Sequence, residues 1–373
     1  MKKTAESPAI KGDCCKMSRC KASTSERGGV RVGRRTSERG DNAADGRFAT
    51  VPKESPLFWP ARLQGQVLRV LDETLIPAQL KYVPVKTTAQ AVRVIREMKT
   101  RAFGQFLVVL NTFLLELNRN PKNAGQALVE RIGKTAAALN ASRPTFPFSE
   151  VTSLVVKWAD IALSQGMDVR AFVSKNIHGY LEGIRHRRLE RVRQIARSIK
   201  DGDSVLTHCN VSGELAMAAH ICRQEKKEVR FFATETRPYF QGTKLTCWEL
   251  QRMGADVMLV ADNCVASLMA DGLVNKVIVG SDRNCANGDF ANKIGTYQIA
   301  VLAREFGIPF YVLTQPSNKV ASGKDIPIEI RPEKELLQFG GRRIVSGKVK
   351  GLYPGFDVVP HEYITKAIAI DVS

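Results

Sequence analysis

The chain has 373 residues, 44% hydrophobic and 25% charged, enough to bury a sizeable core in two domains, or in one large domain with an appendage. Its 56 basic residues outnumber 37 acidic ones, for a net charge of +19, which favours anionic partners: phosphorylated metabolites, nucleic acid or anionic lipid surfaces. The longest apolar stretch, Phe103 to Leu117, is interrupted by Gln105, Asn111 and Glu116 and is too short for a comfortable bilayer span, and MKKTAESPAIKGD at the start has no apolar signal core. Free thiols in a reducing cytoplasm are therefore expected, and the eight cysteines form no convincing metal-ligand spacing.

Residues 1–55 carry 13 basic and 7 acidic residues and repeat the tetrapeptide Ser-Glu-Arg-Gly. With few large apolar groups, this segment reads as a disordered basic tail, with a nucleic-acid-binding arm as an alternative. Order is expected from about Leu57. Residues 67–71 read as a strand. Apolar spacing then predicts helices over 88–100, 103–118, 126–139 and 150–165, with a break at Arg143-Pro144-Thr145. A further helix over 183–199 sets Leu189, Val192, Ile195 and Ile199 on one face and crowds the rest with arginines. Residues 56–198 thus form a mainly helical N-terminal domain with a few strands.

From Ser204 the pattern changes. Short apolar runs at 205–206, 229–233, 257–260, 277–279 and 310–313 alternate with helical stretches. That alternation predicts βαβ units, so residues 199–373 read as an α/β, Rossmann-like domain with a parallel sheet. Right-handed crossovers bring the strand ends to one edge, where such sheets bind ligands. The ends lead into Thr207-His208-Cys209-Asn210, Glu235-Thr236-Arg237-Pro238, Asp262-Asn263 and Ser281-Asp282. Cys209 precedes a helix expected near Ser212, whose dipole would stabilise a thiolate. Asp282 supplies a second titratable group, as paired acid–base chemistry requires. Asn292 and Lys293 follow, an amide to orient hydroxyls and a cation to neutralise a phosphate. No GxGxxG fingerprint or Walker loop occurs, so no nucleotide cofactor is indicated.

Six segments carry a family resemblance: VLDETLIPAQL (70–80), ASRPTFPF (141–148), LTHCN (206–210), ETRPYFQGTKLTCWEL (235–250), VIVGSDRNCANGDFANKIGTYQIAVLA (277–303) and YPGFDVVPHEYIT (353–365). From about Val67 to Ile370 the chain resembles the methylthioribose-1-phosphate isomerases. Their relatives are the ribose-1,5-bisphosphate isomerases and the regulatory subunits of the eukaryotic translation-initiation guanine-nucleotide exchange factor. The resemblance implies Cys209 and Asp282 as catalytic residues. It implies Arg101, Arg143, Gln241, Asn292 and Lys293 as substrate-binding residues, with no metal or cofactor. It also implies a homodimer formed through the Rossmann-like domain. The family's Arg-Gly-Ala-Pro-Ala-Ile-Gly phosphate loop reads Arg101-Ala102-Phe103-Gly104-Gln105-Phe106 here, and Phe103 is bulky where backbone amides would cradle phosphate. Ser281 replaces an alanine, and the segment between Cys209 and Gln241 lacks a glycine-rich insertion. The expected activity is isomerisation of 5-methylthioribose 1-phosphate to the ribulose 1-phosphate. Ribose 1,5-bisphosphate and 5-deoxyribose 1-phosphate are the alternative substrates, and a non-catalytic regulatory subunit is the alternative of another class.

Overall fold

The structure, a computed structural model, describes residues 53–119, 124–144, 146–315 and 319–370. The expectation of disorder over residues 1–52 lies outside these residues. Of the expected tail, residues 53–55 are described: Ser55 is wholly buried and its hydroxyl donates to Glu249 Oε2 at 2.8 Å. Ordered chain therefore reaches at least that far back.

Strands β1 (Ala61–Gln64), β2 (Val67–Leu71) and β3 (Tyr82–Val85) make an antiparallel sheet. Five helices follow: α1 (Thr88–Arg96), α2 (Ala102–Arg119), α3 (Gly125–Asn140), α4 (Phe148–Ser164) and α5 (Val169–Ser198). The Thr87 hydroxyl caps α1 by accepting from the Gln90 amide at 3.1 Å. Helix α2 packs against β1, β2 and each of the other four helices, which accounts for its nearly continuous apolar sequence. Helix α5 begins well before the expected 183. Asp168 caps it, accepting from the Ala171 amide at 3.1 Å, and Val169, Val173, Ile177 and Leu181 bury one stripe. Gly179 and Gly183 weaken the helical signal of this stretch when it is read alone.

Next come β4 (Ser204–Thr207), α6 (Glu214–Gln224), β5 (Arg230–Thr234), α7 (Cys247–Arg252), β6 (Asp256–Val260), α8 (Val265–Ala270) and β7 (Lys276–Gly280). Two short strands, β8 (Arg283–Asn284) and β9 (Phe290–Lys293), then pair antiparallel before α9 (Thr296–Glu305) and β10 (Phe310–Thr314). This hairpin was not anticipated: Lys293 ends a strand and stands three residues ahead of α9. The chain closes with α10 (Lys334–Leu337), a hairpin of β11 (Gln338–Phe339) and β12 (Arg342–Arg343), β13 (Phe356–Val359) beside β9, and β14 (Lys366–Ala369).

The central sheet has six parallel strands in the order β14-β10-β7-β4-β5-β6. Alternation along its strands divides the core. Val205, Phe231, Ile278 and Leu313 face a cluster shared with the N-terminal helices, including Phe113 and Val192. Leu206, Phe232, Val277, Val279 and Val312 face the opposite way, onto Val265, Met269, Ile299 and Ala303 of α8 and α9. Gly213 lets the two parts meet. Its φ is +84°, and a Cβ there would lie 2.5 Å from the Phe58 amide nitrogen. Among the described residues no helix is long and apolar enough to cross a membrane.

Candidate active site

The chain leaving β4 is held in an unfavourable conformation. Cys209 has φ +62° and Ser212 φ +51°, and across the sheet edge Thr236 and Phe240 stand at +61° and +60°. Non-glycine residues keep such angles only where surrounding bonds over-determine them, commonly at functional sites. Here the bonds are visible. The Cys209 amide donates to Thr236 Oγ1 at 3.0 Å, and its carbonyl accepts from the Thr246 hydroxyl. The His208 ring is spanned by Thr234 Oγ1 on Nδ1 (2.6 Å) and the Ile294 carbonyl on Nε2 (2.9 Å). Burial holds its pKa below the usual histidine value. His208 is therefore a neutral strut, with Nε2–H donating, that ties the Cys209 turn to the segment carrying Lys293.

Asn210 uses its whole side chain. Oδ1 accepts from Arg101 Nη2 (2.5 Å) and from the Ser212 amide (2.9 Å), while Nδ2 donates to Thr246 Oγ1 (3.0 Å) and to Glu249. Arg101 is gripped from its other side by Glu73, Nε to Oε2 at 2.7 Å. Glu249 is 1% exposed, and burial pushes its carboxyl up to about 7 against donors from Ser55 and Asn210. This set fixes a guanidinium from the helical part beside a turn of the sheet part.

Asp282 follows β7, with its amide bonded to the Ala291 carbonyl at 2.9 Å. Enclosure raises its pKa, opposed by Lys293, Arg101 and Arg143 in that order. The residue is nonetheless open to water in the cleft. Cys209 is 8% exposed, and burial raises its thiol against Lys293 and Arg101. The expectation of a dipole-stabilised thiolate is thus corrected. Helix α6 starts five residues beyond Cys209, and a dipole effect fades within the first turn while desolvation does not.

Lys293 is 8% exposed, and its Nζ lies 5.0 Å from the centre of the Phe356 ring and 5.8 Å from that of Tyr239. Asn292, 4% exposed, donates to Thr296 Oγ1 at 3.0 Å. Gln241 is buried, and among the described residues its Oε1 has no hydrogen-bond partner. Arg143 donates to Gln105 Oε1 at 3.0 Å and approaches Glu329 at 4.0 Å.

A cavity of about 510 Å³ opens between the sheet edge and the helices. Asn210, Ser281, Asp282 and Asn292 line one side, and Phe103, Phe106, Phe146 and Tyr180 the other. Of the seven expected residues, only Asp282 and Asn292 line this cavity. Arg101, Arg143 and Lys293 are charged neighbours of Asp282, and the Cys209 thiol lies within its electrostatic reach. Gln241 follows Tyr239, whose ring faces Lys293, by two residues. The departure at Phe103 is accommodated: its ring lies 3.7 Å below the Arg188 guanidinium and meets Trp59 edge-on at 5.6 Å. Arg101 immediately precedes α2, whose first-turn amides have no intrahelical acceptor and suit an anion. Among the described residues no group of three or more His, Cys, Asp or Glu is placed to hold a metal ion.

The family model for the Initiation factor 2 subunit family matches residues 105–369. The chain is 38% identical over 347 residues to a methylthioribose-1-phosphate isomerase of Desulforudis audaxviator, covering 85% of this chain and 93% of that protein. It is 36% identical to a 5-deoxyribose 1-phosphate isomerase of Moorella thermoacetica, covering 84% and 92%. Among solved structures, 5-methylthioribose 1-phosphate isomerase from Pyrococcus horikoshii superposes with a TM-score of 0.76 at 28% identity, covering 86% and 93%. The translation initiation factor eIF-2B, subunit delta, from A. fulgidus gives 0.72 at 32% identity, covering 83% and 94%.

Proposed function

The chain belongs to the Initiation factor 2 subunit family, and from that premise we propose that it is an aldose–ketose isomerase converting 5-methylthioribose 1-phosphate to 5-methylthioribulose 1-phosphate. The observation that carries this reading is the pairing of Cys209 and Asp282 within one field of Lys293 and Arg101. Phosphorylation at C1 blocks ordinary opening of the sugar ring. Asp282, biased toward its protonated form, delivers a proton to the ring oxygen as the bond from C1 to that oxygen breaks. The hydrogen on C2 then passes to C1. The C2 hydroxyl proton leaves to the Asp282 carboxylate as the ketone forms, and the acid is restored. Burial raises the Cys209 thiol pKa, which disfavours a resting thiolate base. We read the transfer as a hydride shift from C2 to C1, with the Cys209 thiol at C2 as the group that excludes water and assists it.

Arg101 and the first turn of α2 would take the phosphate together with Lys293, while Arg143, Gln241 and Asn292 hold the sugar. Phe103, Phe106, Phe146 and Tyr180 in the cavity lining offer an apolar surface for a methylthio or 5-deoxy group at C5, beside Arg187, Arg188, Arg191 and Lys319 of the same lining. We further propose a cytoplasmic homodimer, with a helical domain over 56–198 and a Rossmann-like domain over 199–373. Exposed Met258 and Leu259 on edge strand β6 offer a surface for a second copy. The similarity to the eIF-2B delta subunit favours a second reading, a regulatory subunit that binds sugar phosphate without converting it.

Proton NMR of the purified protein with each of the three sugar phosphates tests the proposal, beside a Cys209→Ser control. Loss of the anomeric signal and growth of ketose C1 methylene signals, absent in the control, is the expected result. Binding without conversion of any sugar would transfer support to the regulatory reading.

A further inference from the structure

Tyr353 is 3% exposed, yet among the described residues its hydroxyl has no hydrogen-bond partner. A buried phenol normally has one. Its place in the fold is close to the reacting groups. It stands three residues before Phe356, whose ring rests against Lys293 and which pairs with Lys293 across β13 and β9. The Tyr353 carbonyl accepts from the Arg331 amide at 2.8 Å. The Arg331 guanidinium in turn bonds the hydroxyl of Tyr239, the other ring facing Lys293. Burial, with Glu335, Tyr239 and Cys209 adding to it, holds the phenol above the usual tyrosine value, so it stays a donor at working pH. Gln241 Oε1, two residues beyond Tyr239, is another buried atom without a hydrogen-bond partner among the described residues.

The two atoms differ in what they can accept. A phosphate dianion offers only acceptors and cannot satisfy an amide oxygen. A sugar hydroxyl, both donor and acceptor, satisfies a phenol O–H and an amide oxygen together. We propose that Tyr353 is a substrate-binding residue whose hydroxyl donates to a ring hydroxyl of the bound pentose, with Gln241 Oε1 accepting from the sugar beside it. This rests on the sugar-phosphate reading of the site.

The test compares Tyr353→Phe with the wild-type protein. Turnover of 5-methylthioribose 1-phosphate is followed by NMR. The rise in melting temperature caused by the same compound is measured in a Cys209→Ser background, where turnover is blocked. Loss of one hydrogen bond to substrate predicts a fall in kcat/KM of about 10-fold. It also predicts a smaller ligand-induced rise, while the ligand-free variant melts no lower than its parent. A ligand-free variant melting several degrees lower would mean that the hydroxyl has a structural partner, and the proposal would fail. Unchanged kcat/KM with a full ligand-induced rise would also overturn it. If the wild-type protein converts no sugar, yet Tyr353→Phe still diminishes the ligand-induced rise, the isomerase reading falls and the contact stands.

Discussion

Glu249 offers a sharp test of how the site is held, because its buried carboxyl costs stability in a pH-dependent way. Its pKa is about 7 in the folded chain against an ordinary 4.5, and the residue is 1% exposed. For a group whose folded pKa is raised, the stabilising contribution is fully present below the unfolded value and is lost as pH climbs through the folded one. Between pH 5.5 and 8.5 that loss amounts to about 2 kcal/mol, at 1.36 kcal/mol per pKa unit. Glu249→Gln removes the ionisation and keeps the acceptor for Asn210, while its new amide can donate to Ser55 Oγ. The variant should therefore gain on the wild-type protein by about 2 kcal/mol over that interval, or roughly 4 °C in melting temperature. Thermal unfolding of both proteins at the two pH values measures it, and activity should stay within a few-fold. A stability difference that does not change with pH would refute the reasoning, since Glu249 would then be ionised throughout and paired with Arg101.

Asp282→Asn should lower kcat by about 10²–10⁴-fold with little change in melting temperature. In the wild-type protein kcat/KM should fall as pH rises through the elevated Asp282 pKa, because the acid form is the one required; a residual rate in the variant that follows the same curve would point to another acid. Turnover in deuterium oxide should leave C1 of the product free of solvent deuterium, as checked by NMR, whereas deuterium at C1 would show Cys209 or another base carrying a proton. Gly104→Ala places a Cβ 1.7 Å from Thr100 Oγ1, which holds Glu73 and through it Arg101. Displacing Arg101 by about 1 Å should cost roughly 10²-fold in kcat/KM, and wild-type kinetics in this variant would remove Arg101 from the site.

The strands of the parallel sheet were legible because burial on both faces leaves nearly unbroken apolar runs, such as Val277-Ile278-Val279. Helices α1 to α4 were legible from their apolar spacing and the proline at 144. The hairpin of β8 and β9 was not, since its strands are short and mostly polar and β9 is held by pairing with β13, more than 60 residues away. His208 illustrates the limit at the site. Beside a cysteine it reads as chemistry, yet its partners at Thr234 and Ile294 make it a neutral strut. Nothing within ten residues of position 208 reveals either partner. Glu249 and Glu73 are illegible in the sequence for the same reason, each acting through a contact that only the folded chain brings about.

The altered phosphate loop shows how a local departure is reconciled with an otherwise family-like site. Read by itself, Phe103 obstructs a cradle of backbone amides. In the fold its ring lies under Arg188, which is paired with buried Glu214 and donates to the Ser212 carbonyl at 2.7 Å. The ring is therefore committed to a fixed cation, and that cation is bonded to the turn just beyond Cys209. Gly104, not residue 102, is the position where close packing forbids a side chain, because Thr100 occupies that space. The loop has exchanged its first glycine for Ala102 and the alanine after it for the aromatic Phe103, while Arg101 stays bonded to Asn210 and the first-turn amides of α2 follow it directly. A bulky residue there thus adds an aromatic ring to the cavity lining without displacing the guanidinium beside it.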